Sequence, residues 1–295
     1  MKMAHIPVLA SEIMDGLLVH NGSRVIDATA NGGGHAEMLL AACGKTGKLL
    51  AIEWDKTLYA GLQEKFKGAE NVILENDTFA HIKRIIERNQ FGAPDAILFD
   101  LGFSSYHVDE SGRGFSFQTD EPLDMRYSTD TELSARDILQ TYAEEELARI
   151  FKEYGEERFA RRIARAIVDE RHHRTLERTG ELVELIKAHV PAWYRRGRLH
   201  PATRVFQALR IETNHELGAV RAGLEGALSL LAPKGRIAVI SFHSLEDRIV
   251  KNMFWDAKQA GGYLVITKKP ITAARSEITA NPRARSAKLR LIEKL

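Results

Sequence analysis

Short apolar runs alternate with amphipathic stretches along the first hundred residues. The runs predict buried strands at residues 24–30, 48–53, 72–75 and 96–99, and the last run ends at Asp100. Apolar positions at helical spacing predict helices at residues 36–42, 58–66 and 79–89. Short buried strands separated by helices are typical of parallel βαβ units, in which helices cover both faces of one sheet.

The alternation stops after residue 103 and resumes near residue 203. Residues 104–130 are rich in Gly, Ser and Asp and predict a loop. Four helical patterns follow it, at residues 134–139, 144–154, 158–171 and 179–189. The elements predicted after them are helices at 203–216 and 219–231, a buried strand at 236–241, and a terminal antiparallel strand pair at 262–267 and 288–293. The pattern therefore predicts an α/β sheet interrupted by a mostly helical insertion.

Composition excludes several classes of protein. The 295 residues contain one cysteine, Cys43, which rules out an intramolecular disulfide framework and a multi-cysteine zinc site. No apolar run approaches the roughly 18 residues of a membrane span, and the first residues lack the pattern of a signal peptide. We therefore expect a cytoplasmic protein with no membrane partner, and the residue spacing predicts no metal site.

The net charge of +2 is uninformative, but the distribution of charge is not. Residues 144–157 hold six acidic against two basic residues, whereas residues 158–210 hold 13 Lys or Arg against five Asp or Glu. A basic block of this kind fits a polyanionic partner, and a solvated helix face is the alternative explanation.

A glycine-rich turn follows the first predicted strand, in the segment from Asp27 to His35. Open α/β sheets bind ligands at the carboxyl ends of their strands, and glycines let a ligand approach the backbone. The spacing of the three glycines is not the dinucleotide fingerprint, and no P-loop lysine follows them. Glu53 ends the second predicted strand and could accept hydrogen bonds from ribose hydroxyls. Together the two features favour a nucleoside site.

Polar side chains also follow the third and fourth predicted strands. Asp77 comes after the third strand, and Asp100, Ser104, Ser105 and His107 come at or after the end of the fourth. Because the carboxyl ends of parallel strands share one edge of a sheet, we expect these groups to converge there. A single carboxylate at a strand end often only caps the next turn. That explanation is weaker where several polar groups converge on one edge.

Beyond these features, the chain carries a series of ordered motifs: HIPVL at 5–9, DATANGGGH at 27–35, DLG at 100–102 with SS at 104–105, RGFSF at 113–117, PLDMR at 122–126, YGEERFA at 154–160, HPATR at 200–204 with FQA at 206–208, SFHSLEDR at 241–248 and NPRARS at 281–286. With these motifs the chain resembles, nearly from end to end, the RsmH (MraW) family of ribosomal RNA small-subunit methyltransferases.

The resemblance implies a Rossmann-like class I methyltransferase sheet that binds S-adenosylmethionine, at residues 1–104 and 203–295. Residues 105–202 would form an inserted helical domain for substrate recognition. The implied reaction is methyl transfer to N4 of a cytidine in the decoding region of 16S ribosomal RNA. The implied partner is small-subunit RNA within an assembled particle; the oligomeric state stays open.

The resemblance also implies a set of cofactor contacts. They are Gly33, Gly34 and His35, a ribose contact at Glu53, and further contacts at Phe79, Asp100 and His107. Asp27 and Asp77, at the ends of the first and third strands, complete the predicted cofactor site. Glu53 stands where the family commonly has Asp, and His107 where it commonly has Gln. Both replacements keep hydrogen-bonding capacity.

The implied reaction sets the catalytic requirements. The N4 lone pair of cytosine is delocalised into the ring, while a sulfonium methyl is already activated. The enzyme must therefore position the groups in line and manage the proton lost from N4. Asp100 is the first candidate for the proton acceptor, with Ser104, Ser105 and His107 as helpers.

The target cytosine must leave its base stack before it can react. The arginines expected to contact RNA are Arg113, Arg126, Arg158, Arg162, Arg204, Arg283 and Arg285, although any of them could instead form an ion pair within the protein. Trp193 and Tyr194 beside Arg195 and Arg196 form a further aromatic and basic group.

Three other functions compete with this one. A nicotinamide-dependent oxidoreductase would need the missing dinucleotide fingerprint. A non-catalytic RNA-binding assembly factor would bind RNA without methyl transfer. An N4-cytosine or N6-adenine DNA methyltransferase commonly carries a Pro-Pro-aromatic segment after the fourth strand, where this chain has Leu101-Gly102-Phe103-Ser104.

Overall fold

The computed structural model describes residues 7–295, so His5 and Ile6 of the first motif lie outside the described residues. Eight strands form one sheet in this part of the chain. They are β1 (Arg24–Asp27), β2 (Lys48–Ile52), β3 (Val72–Glu75), β4 (Ala96–Asp100), β5 (Arg236–Ser241), β6 (Tyr263–Val265), β7 (Ile271–Thr272) and β8 (Lys288–Lys294).

Fourteen α-helices accompany the sheet in the described residues. They are α1 (Ala10–Leu17), α2 (Gly34–Cys43), α3 (Lys56–Lys65), α4 (Ile82–Arg88), α5 (Ser105–Asp109), α6 (Ala135–Thr141), α7 (Glu144–Glu153), α8 (Ala160–Arg171), α9 (Thr179–His189), α10 (Ala192–Arg195), α11 (Thr203–Thr213), α12 (Glu216–Leu230), α13 (Ser244–Ala260) and α14 (Arg275–Ala280). Short 3₁₀ turns cover Phe79–His81 and Pro282–Ser286.

The strand order is β3-β2-β1-β4-β5-β8-β6, with β7 paired to β8. Strands β1 to β5 run parallel, as predicted, and β8 is antiparallel to both β5 and β6. The predicted terminal antiparallel pair is therefore confirmed as β6 and β8. The pair lies at one end of the sheet, where β8 sits between β5 and β6.

Alternate residues of each strand supply two hydrophobic cores, one on each face of the sheet. On β2, Leu49 and Ala51 pack with helices α1, α2 and α3, whereas Leu50 and Ile52 pack with α4, α12 and α13. A strand buried on both faces has no polar side to expose, which explains the continuous apolar runs in the sequence. The sheet therefore has helices on both faces.

The chain divides into two compact units. The described part of the first unit is residues 7–102 with Leu217–Leu295, and the second unit is Phe103–Glu216. The sequence placed the boundaries at 104/105 and 202/203, so the structure moves α11 into the second unit. The reason is packing, because Val205, Phe206 and Leu209 of α11 lie in the core formed by the helices of that unit.

The second unit is helical, as its sequence predicts. Its described residues contain helices α5 to α11 and one isolated bridge, between Pro122 and Arg178. The predicted loop at 104–130 contains the short helix α5, which begins after the N-cap Ser104. Ser134 caps α6 and exchanges hydrogen bonds with Asp137, as its position before the helical pattern predicts. Within residues 7–295, no helix has the length and apolarity needed to cross a membrane.

Candidate active site

Carboxylates gather at one edge of the sheet in the first unit. Asp27 ends β1 and Asp100 ends β4. Glu53 directly follows β2, and one residue separates Asp77 from the end of β3. Asp27 is 0% exposed, and Glu53 and Asp100 are each 6% exposed. Carboxylates are almost never fully buried unless they are paired or functional, so this edge is the first candidate for a site.

Asp27 holds one carboxylate oxygen ready for a partner. The backbone N–H of Thr29 donates to Oδ1 at 3.1 Å, and Oδ2 is buried and accepts no hydrogen bond from the described residues. Burial raises the pKa of Asp27 to about 6, although the nearby His35 acts in the opposite direction. A buried oxygen without a donor is costly, which suits a group that meets a ligand.

Asp100 and His35, both predicted cofactor contacts, lie next to each other in the structure. Oδ2 of Asp100 lies 3.6 Å from Nδ1 of His35, and Oδ1 of Asp100 accepts no hydrogen bond within residues 7–295. Nε2 of His35 donates to the carbonyl oxygen of Val8 at 3.0 Å. A carbonyl can only accept, so this tautomer leaves the lone pair of Nδ1 directed at the Asp100 carboxyl group.

Burial shifts the pKa of each member of this pair so as to favour its neutral form. Burial raises the pKa of Asp100 to about 7, with the charge of Glu246 adding to the effect and the N–H of Gly102 opposing it. Burial also lowers the pKa of His35. A carboxyl group that titrates near neutral pH is suited to general base chemistry.

The side chain of Thr29 links the segment after β1 to the end of β4. The hydroxyl oxygen of Thr29 accepts a hydrogen bond from the N–H of Asp100 at 2.7 Å. Sequence reasoning did not single out Thr29, although its place two residues after Asp27 offered a signal.

The glycine turn has the backbone geometry that glycine alone adopts easily. Gly33 has φ +80° and caps α2, and a Cβ there would lie 2.9 Å from carbons of Leu62 and Lys65. Gly34 and His35 begin α2, where helix N–H groups are free to bind a ligand. A Cβ on Gly32 would meet nothing within 4 Å.

Glu53 ties the glycine turn to the end of β2. Its Oε2 accepts from the backbone N–H of Asn31 and its Oε1 from that of Asp55, each at 2.7 Å. Burial raises the pKa of Glu53 to about 8, and the two backbone donors oppose the shift. Each carboxylate oxygen keeps a second lone pair, which leaves capacity for ribose hydroxyls.

Asn76 supports this arrangement and was missed by the sequence analysis. Its side-chain Nδ2 donates to the carbonyl oxygen of Glu53 at 2.8 Å. Asn76 immediately precedes Asp77, but nothing in the sequence marks an amide at that position as a partner for β2.

Asp77 is engaged by basic side chains that follow it. Its Oδ1 lies 2.8 Å from Nδ1 of His81, and its Oδ2 lies 3.0 Å from the guanidinium of Arg84. Burial acts to raise the pKa of Asp77, but these hydrogen bonds hold it below its ordinary value. The half-buried ring of Phe79 packs edge to face on Phe99, with centroids 5.7 Å apart.

Ser104, Ser105 and His107 belong to the second unit. The backbone N–H of Ser104 donates to Nδ1 of His107 at 3.2 Å, and both side chains are buried. The His107 ring packs against Phe115 and Tyr127, with centroids 5.0 Å away in each case. Ser105 begins α5 and is partly buried.

The seven predicted RNA-binding arginines fall into two groups. Arg113 donates to the carbonyl oxygens of Arg126 and Tyr127, and Arg126 forms a two-point ion pair with Asp124. The partly buried Arg204 donates to the carbonyl oxygen of Glu156. The other four are exposed, two in each unit: Arg158, Arg162, Arg283 and Arg285.

His243 follows β5 and caps α13. Its Nδ1 accepts from the N–H of Glu246, and Glu246 accepts in return from the N–H groups of Phe242 and His243. Glu246, which is 2% exposed, was not singled out from the sequence. Its spacing of three residues from His243 was the available signal, since it matches a capping box.

A parallel sheet with an antiparallel strand inserted between β5 and β6, and a glycine turn and an acidic residue after β1 and β2, defines the class I S-adenosylmethionine-dependent methyltransferase fold. Comparison with known proteins identifies the family. The model of the MraW methylase family matches residues 2–295. The chain therefore belongs to the MraW methylase family and is a methyltransferase.

Individual relatives cover the whole chain. The chain is 44% identical to ribosomal RNA small subunit methyltransferase H of Symbiobacterium thermophilum, over 100% of this chain and 98% of that protein. It is 46% identical to the protein of the same description from Syntrophotalea carbinolica, over 99% of this chain and 98% of that one. Among solved structures, it is 11% identical to an rRNA methylase from Streptococcus thermophilus, covering 97% of this chain and 92% of that chain with a TM-score of 0.43.

Proposed function

We propose that this methyltransferase transfers the methyl group of S-adenosylmethionine to N4 of a cytidine in the decoding region of 16S ribosomal RNA. The observation that carries the proposal is Asp100, a buried carboxyl group at the end of β4 with one oxygen free of hydrogen bonds and His35 at 3.6 Å from the other. The descriptions of the relatives support ribosomal RNA of the small subunit as the substrate.

The residues at the sheet edge fit the cofactor. The uncompensated oxygens of Asp27 and Asp100 match a positively charged sulfonium compound, and the turn at Gly33 and Gly34 admits a ligand close to the backbone. Glu53 would accept the ribose hydroxyls, and Phe79 would pack against the base. When bound, the cofactor supplies a methyl group already activated for transfer.

Asp100 performs the proton chemistry in this proposal. Its carboxylate would accept a hydrogen bond from the amino group of the cytosine, which favours localisation of the N4 lone pair as the C–N bond forms and the C–S bond of the sulfonium breaks, leaving a neutral thioether. The proton lost from N4 passes to Asp100. His35 Nδ1 would then accept a hydrogen bond from the protonated carboxyl group, because the ring proton is on Nε2, which donates to the carbonyl oxygen of Val8.

The second unit contributes the remaining proposed groups. Ser104, Ser105 and His107 are the proposed contacts to the cytosine, which must be unstacked to react. Arg158, Arg162, Arg283 and Arg285 are exposed and suited to phosphate contacts. Arg113 and Arg126 act by supporting the segment around residues 113–131, since both donate to backbone carbonyls there.

Transfer of labelled methyl groups tests the proposal. Purified protein is incubated with labelled S-adenosylmethionine and, in separate reactions, with small ribosomal subunits, naked 16S ribosomal RNA and duplex DNA. The subunits and RNA come from cells that lack this activity. We expect label in the subunits. Label in DNA alone would replace the proposal with a DNA methyltransferase, and RNA binding without transfer would replace it with an assembly factor.

A further inference from the structure

A pocket in the second unit is lined by exposed aromatic, apolar and basic side chains. Its volume is about 470 Å³, and it lies around α10 and the turn that follows. The residues that line it are Trp193, Tyr194, Gly197, Arg198, Leu199 and Arg204. None of them belongs to the unit that holds Asp100 and His35.

The exposure of the apolar lining is unusual for this unit. Trp193 is 58% and Leu199 is 55% exposed, whereas the other exposed large apolar residues described in the unit, Phe103 and Leu133, are each 38% exposed. Scattered exposed apolar residues need no explanation, but two such side chains beside one cavity indicate a binding surface.

Contacts with Phe159 and Glu157 fix the two aromatic side chains that line the pocket. The Phe159 ring lies 5.9 Å from Trp193 and 4.9 Å from Tyr194, measured between centroids. The hydroxyl of Tyr194 donates to Oε2 of Glu157 at 2.6 Å, and Glu157 is 2% exposed. The indole therefore presents a pre-organised surface, which reduces the entropic cost of binding a flat ligand.

The charge around the pocket is positive. The guanidinium carbon of Arg158 lies 5.1 Å from the centroid of the Trp193 ring. Arg198 and Arg204 line the cavity, none of the six lining residues is acidic, and Arg195 and Arg196 are exposed beside it. The hydrogen bond that Arg204 makes is to the uncharged carbonyl of Glu156, so its charge is not neutralised by that contact.

We propose that this pocket binds an unpaired nucleobase of the RNA substrate, stacked on Trp193, with Arg158, Arg198 and Arg204 contacting the neighbouring phosphates. An exposed aromatic platform surrounded by arginines is the arrangement that proteins use for single-stranded nucleic acid, because every base has a face that stacks. An apolar peptide would use Leu199 and Trp193 but not the arginines. The inference rests on the proposed function and adds a second base-binding site, outside the unit that holds Asp100.

Substitution of Trp193 tests this site against a matched control. Trp255 lies in the first unit, is 54% exposed, and has Nζ of Lys258 5.3 Å from its ring centroid, so it shares both features of Trp193. The variants are Trp193→Ala, Trp193→Phe, Arg198→Ala and Trp255→Ala. For each, we would measure Kd for a single-stranded oligonucleotide of the decoding region, and KM and kcat for methyl transfer to small subunits.

We expect Trp193→Ala to raise Kd and KM about 5- to 100-fold, the range for losing one stacked base, and to change kcat less than about twofold. Trp193→Phe should keep most of the affinity, and Trp255→Ala should match wild type. Arg198→Ala should reduce the slope of log Kd against log salt concentration by about one, as expected for the loss of one phosphate contact.

The results separate failure of this site from failure of the proposed function. If wild type methylates subunits and Trp193→Ala matches it in Kd and KM, the stacking site is wrong and the proposed function stands. If wild type transfers no methyl group, the proposed function fails, and the oligonucleotide Kd of the Trp193 variants alone decides the site. A change in oligomeric state on Trp193→Ala, with Kd unaltered, would assign the pocket to a second copy and overturn the inference.

Discussion

His35 and Asp100 lie side by side in the first unit, with Nδ1 of the imidazole 3.6 Å from Oδ2 of the carboxyl group. The two side chains are 6% and 8% exposed. Since the other ring nitrogen of His35 donates to Val8, the pair has one place for a proton, between the carboxyl group and Nδ1. This relationship gives Asp100 its proposed role as the proton acceptor.

Replacing Asp100 by Asn should abolish methyl transfer while the protein stays folded. The amide keeps the shape but cannot take a proton, so kcat should fall by at least about 100-fold. Cofactor affinity, measured by calorimetry, would separate loss of chemistry from loss of binding. The control is Asp256→Asn, at an exposed carboxylate on α13, which should behave as wild type. Near-normal kcat in Asp100→Asn would contradict the role.

The rate should depend on pH through the same carboxyl group. Because burial raises the pKa of Asp100 to about 7, the group is increasingly protonated below that pH and cannot accept the N4 proton. We expect kcat/KM for the RNA to fall about tenfold per pH unit below pH 7 and to level off above it. A flat profile between pH 5.5 and about 8 would show that another group limits the reaction.

Amide substitutions at Asp27 and Glu53 should differ in their effect on stability: the change at Glu53 should lower it, and the change at Asp27 should not. Asp27 accepts one backbone hydrogen bond, which Asn can keep, whereas both oxygens of Glu53 accept backbone N–H groups. In Glu53→Gln, the amide nitrogen would therefore face a donor. We expect Glu53→Gln to lose about 1–3 kcal/mol of unfolding free energy, and Asp27→Asn to be no less stable than wild type at pH 8. Thermal unfolding of both variants measures this.

The pH dependence of stability gives a second test of Asp27. Burial raises its folded-state pKa from 3.8 to about 6, so the folded protein holds a proton that the unfolded chain has lost in this interval. The contribution of Asp27 to stability is therefore present below about pH 4 and falls as pH rises to about 6. Asp27→Asn should remove this part of the decline. If the difference in Tm between pH 4 and pH 6 is the same in Asp27→Asn as in wild type, burial does not raise the pKa of Asp27 as stated.

Alanine substitutions in the glycine turn should differ by position. Gly33→Ala places a Cβ 2.9 Å from two side-chain carbons and requires φ +80°, whereas a Cβ on Gly32 meets nothing within 4 Å. We expect Gly33→Ala to cost about 1–3 kcal/mol in stability and to weaken cofactor binding. The change in unfolding free energy caused by Gly32→Ala should lie within about 0.5 kcal/mol of the change caused by a Gly→Ala substitution at an ordinary surface position. Equal Tm values for the two variants would show that the turn is not strained.

The arginines should separate into those that support the fold and those that bind RNA. Arg126 has ion-pair and carbonyl partners around it, so Arg126→Ala should lower Tm. Arg162 is exposed on α8, so Arg162→Ala should leave Tm unchanged and weaken RNA binding with a smaller salt dependence. A lower Tm in both variants, or an unchanged Tm in both, would contradict this division.

The parallel part of the sheet was predictable because its strands are short, fully buried and separated by clear helical patterns. Helix α13 was not predicted, although its buried residues Leu245, Ile249 and Phe254 have helical spacing. Helix α11 was assigned to the sheet domain because the alternation of strands and helices resumes there, and only tertiary packing shows that its apolar face belongs to the second unit.

The candidate site was predictable to the extent that strand ends determine it. Adjacent parallel strands, β1 and β4, bring Asp27 and Asp100 to the same edge, but the contact of His35 with Asp100 also depends on the path of the glycine turn into α2. The contacts of Glu53 could not be predicted, because one of its two donors comes from a turn 22 residues earlier in the chain. The partners of Asp77 at His81 and Arg84 are local and could have been expected from their spacing on a helix.

The central claim is that this chain methylates N4 of one cytidine in the decoding region, with Asp100 as the proton acceptor. The most direct measurement is mass-spectrometric mapping of modified nucleosides in small subunits from cells lacking the activity, after treatment with wild type or with Asp100→Asn. The account predicts one N4-methylated cytidine in the decoding region with wild type and none with the variant. A modification at another base or atom, or the same product from both proteins, would contradict it.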